Sequence, residues 1–286
     1  MLRARQAEPK AASHLCRALV PSPADPFPIM IIFHYPRVLL VVSFLILAGA
    51  AALGDFFRTR LKSISDDQRS DLSLVLGASL TLLGLLIGFS FSMAINRYDQ
   101  RKNYEEAEAN AIGTEYLRAD LLPPQAAAQV KDLLRLYLDQ RILFYSTRDY
   151  VMSDAPGVEE IERKTAKLQG QLWEAVRPAA AAQPSPLTAL AVAGMNDVLN
   201  SQGYTQAAWW NRIPVEAWLL MLTIAIGCSV LIAFSAHRRD WRIYLIVPAA
   251  VSFSFLLIAD IDSPRRGFIH ISAQNLESVR QSLTGQ

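Results

Sequence analysis

The chain has 286 residues, 52% of them hydrophobic and 19% charged, with a net charge of +2 and a mean hydropathy of +0.20. Long uncharged blocks alternate with segments dense in Glu, Arg, Asp and Gln, the composition of an integral membrane protein whose natural partner is the lipid bilayer. That net charge argues neither way about nucleic acid, but the basic stripe interleaved with aromatics that such a surface needs is missing, and two isolated cysteines, Cys16 and Cys228, exclude a disulfide framework.

Residues 1–36 carry Pro21, Pro23, Pro26, Pro28 and Pro36, and no long apolar core precedes the first of them. This predicts a disordered tail rather than a signal peptide, with Met30 as an alternative start of translation. Val38 to Gly54 is uncharged and long enough to span, with Phe56 and Phe57 as interfacial aromatics at its end. Arg58 to Asp71 is a hydrophilic link in which Ser65-Asp66-Asp67 supplies N-cap chemistry for the next helix.

The central stretch is Leu72 to Leu122. Its first 24 residues, Leu72 to Ile95, hold no charge and are predicted to cross the membrane as a helix. Asn96 to Leu122 is rich in Glu, Ala, Arg and Leu and meets no proline before Pro123-Pro124, so one uninterrupted helix is predicted to run from lipid into a polar, helical domain. Gly77, Thr81, Gly84, Gly88 and Ser92 share one face, and Gly84 and Gly88 form a GxxxG step. Two readings stay open: this face packs on another helix of the same subunit, or it lines a pore or subunit interface. On the second reading Phe89 and Phe91 supply an apolar constriction, and Asn96, Arg97 and Arg101 form the mouth, with donors for an inorganic anion. Glu105, Glu106 and Glu108 read as a solvated face, with Glu105 paired to Arg101 along the helix.

Beyond Pro123-Pro124, Gln125 to Val151 has the i, i+3, i+4 spacing of an amphipathic helix, and Ser153 to Gly157 is a turn by composition. Val158 to Val176 repeats the pattern, Pro178 to Pro186 reads as a loop, and Leu187 to Trp210 is a further helix. Nothing alternates with period two, so no sheet is expected. Pro214 to Ala236 is the third span, with Trp209, Trp210 and Trp218 crowding its entrance as interfacial aromatics. A turn at His237 to Asp240 leads to the fourth span, Trp241 to Ile261, which closes on Asp260 and Asp262 as boundary caps or as partners of Arg97 and Arg265.

The expected architecture is therefore all-α, with four transmembrane helices arranged two plus two around an extramembrane helical domain. The divisions are a tail over 1–36, spans one and two over 37–95, the helical domain over 96–213, spans three and four over 214–262, and a C-terminal tail or helix over 263–286. The positive-inside rule does not orient it. Arg58, Arg60, Lys62, Arg69, Arg238, Arg239 and Arg242 on one side balance Arg37, Arg97, Arg101, Lys102, Arg212, Arg265 and Arg266 on the other. No GxSxG, HExxH, P-loop or GxGxxG motif is present, and the four histidines lack metal-ligand spacing, so no enzyme, cofactor or metal is expected.

The run from Gly84 to Pro123 resembles the signature of the bacterial bestrophin-like family. Asp262-Ser263-Pro264-Arg265-Arg266-Gly267 is similar to that family's closing Asp-x-Pro-x-x-Gly turn, and the resemblance spans roughly Val38 to Leu283. A weaker likeness ties Ala94 to Lys102 to the place where the pore helix of bestrophin anion channels leaves the membrane. This sequence departs from them in lacking a Trp pair after Arg97 and an acidic calcium clasp. The resemblance implies a multi-pass protein of the bacterial inner membrane, a homo-oligomer and by that likeness a pentamer, with the second span lining an anion conduit. The competing expectation is a non-conducting membrane scaffold whose helical domain binds a protein partner.

Overall fold

The computed structural model describes residues 35–60, 65–147, 157–236, 240–265 and 267–284, and every α-helix or 3-10 turn lies within these with no strand among them. The helices are α1 (Pro36–Arg60), α2 (Asp66–Arg118), α3 (Pro124–Ser146), α4 (Val158–Ala182), α5 (Pro186–Trp210), α6 (Val215–Ser235), α7 (Trp241–Asp262) and α8 (Gln274–Thr284). Of the expected tail over 1–36 only Tyr35 and Pro36 are described, Pro36 opening α1, and 153–156 of the turn expected at 153–157 and 237–239 of that expected at 237–240 lie outside the described residues.

α2 is the long element, 53 residues without a break. It starts where Ser65 accepts from the Gln68 backbone N–H while the Gln68 side chain accepts from the Ser65 N–H, a reciprocal cap reinforced by Asp66 and Asp67 in the positively polarised first turn. It ends by tightening into a 3-10 turn, Ala119–Leu121, just before Pro123 and Pro124, which cannot donate to a continuing helix. At ~1.5 Å rise per residue the rod is about 80 Å long, well over twice a bilayer core.

One expected loop is helix. α4 runs through Pro178 to Ala182, and only Gln183–Ser185 separates it from α5. A proline removes one backbone donor, whereas the four alanines behind it are the strongest helix formers available, so the helix continues. The true break comes at Ser185, which caps α5 in a box with Thr188, Pro186 standing at the first helical position.

Four stretches are long and apolar enough to cross a membrane, within Pro36–Arg60, Asp66–Leu121, Pro186–Ser235 and Trp241–Asp262. α1 lies mainly against α6 and α7, and the first half of α2 adds Leu83 and Ala94 to the core these helices share with Leu47, Ala225, Phe255 and Ile258. The second half of α2 packs with α3, α5 and α8, and α4 closes the core from α3 and α5, around Ile112, Leu134, Tyr137, Ile161, Leu172, Val198 and Leu276. Tyr98 touches both cores. Of the three tryptophans expected at the interface, Trp218 is buried edge-on to Phe255 with ring centroids 5.6 Å apart, and Trp209 is buried beside Phe144 and Tyr145; only Trp210 is exposed. Their indole rings found partners inside the protein, and burying so much apolar area outweighs a seat among lipid headgroups.

α1 and α6 cross with almost no separation at Gly54, where a Cβ would overlap the Val230 carbonyl oxygen. At Gly49 on the same helix a Cβ meets nothing within 4 Å. Gly54→Ala is therefore expected to lower stability by about 1–3 kcal/mol, and Gly49→Ala to leave it level or raise it slightly. Thermal midpoints of the two purified variants in one detergent check this; equal midpoints would contradict the close crossing.

Candidate functional site

α2 shows two unlike faces, and the candidate site is built on the contrast between them. Leu83, Ser90, Ala94, Arg101, Glu105, Glu108, Ile112 and Glu115 recur at spacings of three, four or seven residues, so they share one face, and all are buried. Gly77, Thr81, Gly84, Gly88 and Ser92 recur the same way on the opposite side and are all exposed. A Cβ at Gly77, Gly84 or Gly88 meets nothing within 4 Å. Among the described residues no helix of the same subunit packs on the small-residue face, so the first of the two sequence readings finds no partner there. Only 6% of the most apolar window of α2 is buried, against 33–44% in the other three candidate spans.

The face continues past Ser92. Asn96, Asp99, Asn103, Glu106 and Asn110 are exposed and lie along the same side of the rod, with Lys102 exposed at its edge. Arg97 does not belong to it. It stands nine residues from Gly88, about 180° round the helix, and is only partly exposed. Its Nη1 lies 3.8 Å from Asp262 Oδ1, so the pairing with Asp262 weighed from the sequence is formed. Arg101 is also removed from the expected mouth, because the residue is 1% exposed and its side chain points into the protein. Phe89 and Phe91 are both exposed, but two residues apart on a helix they point about 160° apart, so they do not form one constriction.

Arg101 instead ties the ends of two helices to the middle of α2. Nε donates to the Ala208 carbonyl and Nη2 to the Asn211 carbonyl, at the C-terminus of α5, and Nη1 reaches the Ile261 carbonyl near the end of α7. These are carbonyls that a helix cannot satisfy internally, so a cation there meets both free acceptors and the negative end of the dipole. Asp262 stands 4.0 Å away and accepts from the Ile213 N–H in the α5–α6 connection. Burial pulls the Arg101 guanidinium down to about 10, Asp262 opposing, which leaves it charged at neutral pH. Two residues before Asp262, Asp260 closes the terminal turn by accepting from the Phe268 and Ile269 N–H groups. Gly267 is required there, since a Cβ would stand 2.5 Å from the Asp260 carbonyl oxygen.

The acidic residues just beyond are not a solvated face. Glu105 accepts from the Asn275 and Leu276 N–H groups and from Asn275 Nδ2, capping the N-terminus of α8 and docking it on α2. Burial raises its carboxyl group and those donors hold it down. Glu108 is fully buried in an ion pair with Arg141 and also accepts from the Tyr145 and Thr205 hydroxyls. Burial works against the Arg141 charge, but Glu108 outweighs it and holds Arg141 above its ordinary range. Only Glu106 of the three is exposed. Sequence reasoning missed Arg141, Thr205 and Asn275 because nothing local marks them as partners. The one available signal was that Glu105 and Glu108 continue the spacing of the apolar contact stripe of α2. Among the described residues no three His, Cys, Asp or Glu side chains come together as metal ligands.

Arg141→Met, which strands Glu108 without its counter-charge, is expected to cost about 3–5 kcal/mol, and adding Glu108→Leu to recover part of that loss. Thermal midpoints of the single and double variants in detergent test the pair; a double variant no better than Arg141→Met alone would refute it.

Residues 43–276 match the family model described as a bestrophin-like domain. Solved structures of similar fold include crystal structures of a bacterial bestrophin homologue from Klebsiella pneumoniae. A point variant of that protein gives a TM-score of 0.58 at 13% identity, covering 86% of this chain and 97% of that one. A second crystal structure of it gives 0.56 at 15% identity, covering 87% and 98%. At these identities the likeness is one of fold. No curated protein matches the sequence.

Proposed function

Because the chain belongs to the bestrophin-like family, we propose that it is a homo-oligomeric ion channel of the bacterial inner membrane, its conduit lined by the small-residue face of α2. The observation that carries this reading is the unpacked apolar half of α2. A helix otherwise left bare to lipid presents glycines to nothing, and small residues in membrane helices serve close approach by another helix or by water and ions. By the family resemblance the assembly is a pentamer, with Gly77, Thr81, Gly84, Gly88 and Ser92 repeated around the axis.

The expectation of anions drew on the resemblance to bestrophin anion channels and on Arg97 and Arg101, which lie on the other side of the rod. On the proposed path the charges are Asp99 and Glu106, with Lys102 at the margin. Repeated in each copy, they make the exit net acidic, and acidic rings favour cations. Asn96 and Asn103 supply neutral ligands on the same path.

Purified protein in a planar bilayer is expected to pass single-channel current. Asp99→Asn with Glu106→Gln should shift the reversal potential toward anions, and Arg97→Gln should leave it where it is. Intact oligomers that pass no current overturn the channel and favour a scaffold whose helical domain holds a protein partner. A reversal potential that moves with Arg97 and ignores Asp99 and Glu106 would return the mouth to the arginine side.

A further inference from the structure

Where α2 crosses α5, one buried acid remains that neither the proposed conduit nor the clamp around Arg101 uses. Glu115 is fully buried, and neither of its carboxyl oxygens has a hydrogen-bond partner. It fits because α5 carries Gly194 at the crossing. A Cβ there would overlap Glu115 Oε2 and stand 2.7 Å from Nη1 and 3.1 Å from Cδ of Arg118. Beside this contact, Asn110, Ala111, Thr114, Arg118, Gly194 and Asp197 line a cleft of about 240 Å³ whose rim is exposed. Water and a guanidinium group thus lie one side-chain movement away from a carboxyl group that touches neither.

An ionised carboxylate in that position would have given up its hydration and received no donor in return, whereas a neutral carboxyl group gives up far less. The other two buried acids of α2 have replacements for water: Glu105 has three donors from α8, and Glu108 has Arg141 and two hydroxyl groups. Glu115 has none. We propose that Glu115 is a proton-binding site built into the α2–α5 joint: protonated while the two helices are seated, and on losing its proton to water drawn out toward Arg118 and the cleft, which loosens α5 from α2.

Two charged neighbours act on the site. Burial is the leading cause that raises the Glu115 carboxyl group, to about 8; Arg118 on its own helix opposes this and Asp197 on α5 adds to it. In the unfolded chain the group returns to its ordinary value of 4.5. Below that value both states hold the proton and the site makes no difference. Between the two values the folded state holds a proton that the unfolded state has released, so stability falls as pH rises, and the loss is complete once the folded group has ionised. The joint is thus firmest below about pH 4.5, weakens steadily as the pH rises through neutrality, and is weakest above about 8. Because α2 is the same rod that carries the small-residue face, the joint is placed to bias that face; the proton site itself stands whether or not the protein conducts.

The test uses the full-length protein in detergent and needs no current. Infrared spectra taken between about pH 6 and pH 10 should show a protonated-carboxyl band that bleaches with a midpoint near 8 and is missing from Glu115→Gln. The thermal midpoint of the wild type should fall over the same range by more than that of Glu115→Gln. Asp197→Asn should move the bleaching midpoint down and Arg118→Gln should move it up, a pair of opposed shifts that keeps the test open even if Glu115→Gln does not fold. A wild-type spectrum without the band at pH 6, a band that survives Glu115→Gln, or a midpoint that ignores both neighbours overturns the proposal.

Discussion

A charge carried on a helix that passes from lipid into water must be solvated by something, and the way Arg101 meets that demand holds this fold in register. Its guanidinium takes the backbone carbonyls that close α5 and α7, with Asp262 nearby as counter-charge. One buried cation thereby sets where α5 stops, where α6 begins and where α7 ends. The apolar helices and the helical unit beside them share one continuous rod, and Arg101 holds both groups to it at the level where Tyr98 touches both cores. Lysine would serve poorly there, since three acceptors in different directions need the forked donor geometry of a guanidinium.

The same rod carries three buried acids within eleven positions, and each relieves its desolvation differently. Glu105 is solvated by the free N–H groups at the start of α8, Glu108 by an arginine and two hydroxyls, and Glu115 by giving up its charge. The first makes the C-terminal helix part of the core and the second fixes α3 and α5 against α2. The third leaves a joint whose strength depends on a proton. Burial is common to all three, and the available partner decides the outcome.

Against that well-satisfied side stands the bare one. The exposed face of α2 is small and apolar in its first half and polar in its second, with no protein against Gly77, Gly84 or Gly88. Packing density is uneven around a single helix, dense where it meets α5, α6 and α7 and absent half a turn away. On the proposed reading of so bare a face on so long a helix, another copy of the chain supplies what is missing there.

Much of the architecture is a product of local chemistry. The uncharged runs, the capping residues at Ser65, the stop at Pro123-Pro124 and the spacing of apolar residues dictate an all-α chain, four apolar helices and an unbroken α2, because each is a property of neighbours in sequence. The closing Asp-x-Pro-x-x-Gly turn was legible through the family resemblance, though not the pairing of Asp260 with the backbone beyond it. It took the folded chain to settle which way each polar side chain of α2 points and what answers it. Helical periodicity states that Arg97 and Gly88 lie on opposite sides, but not which side is inside, since a stripe of Arg and Glu looks the same in sequence whether it meets water or Arg141, Asn275 and the ends of α5. Those partners sit 33 to 170 residues away along the chain, and long-range burial is what turns a charged stripe into a core.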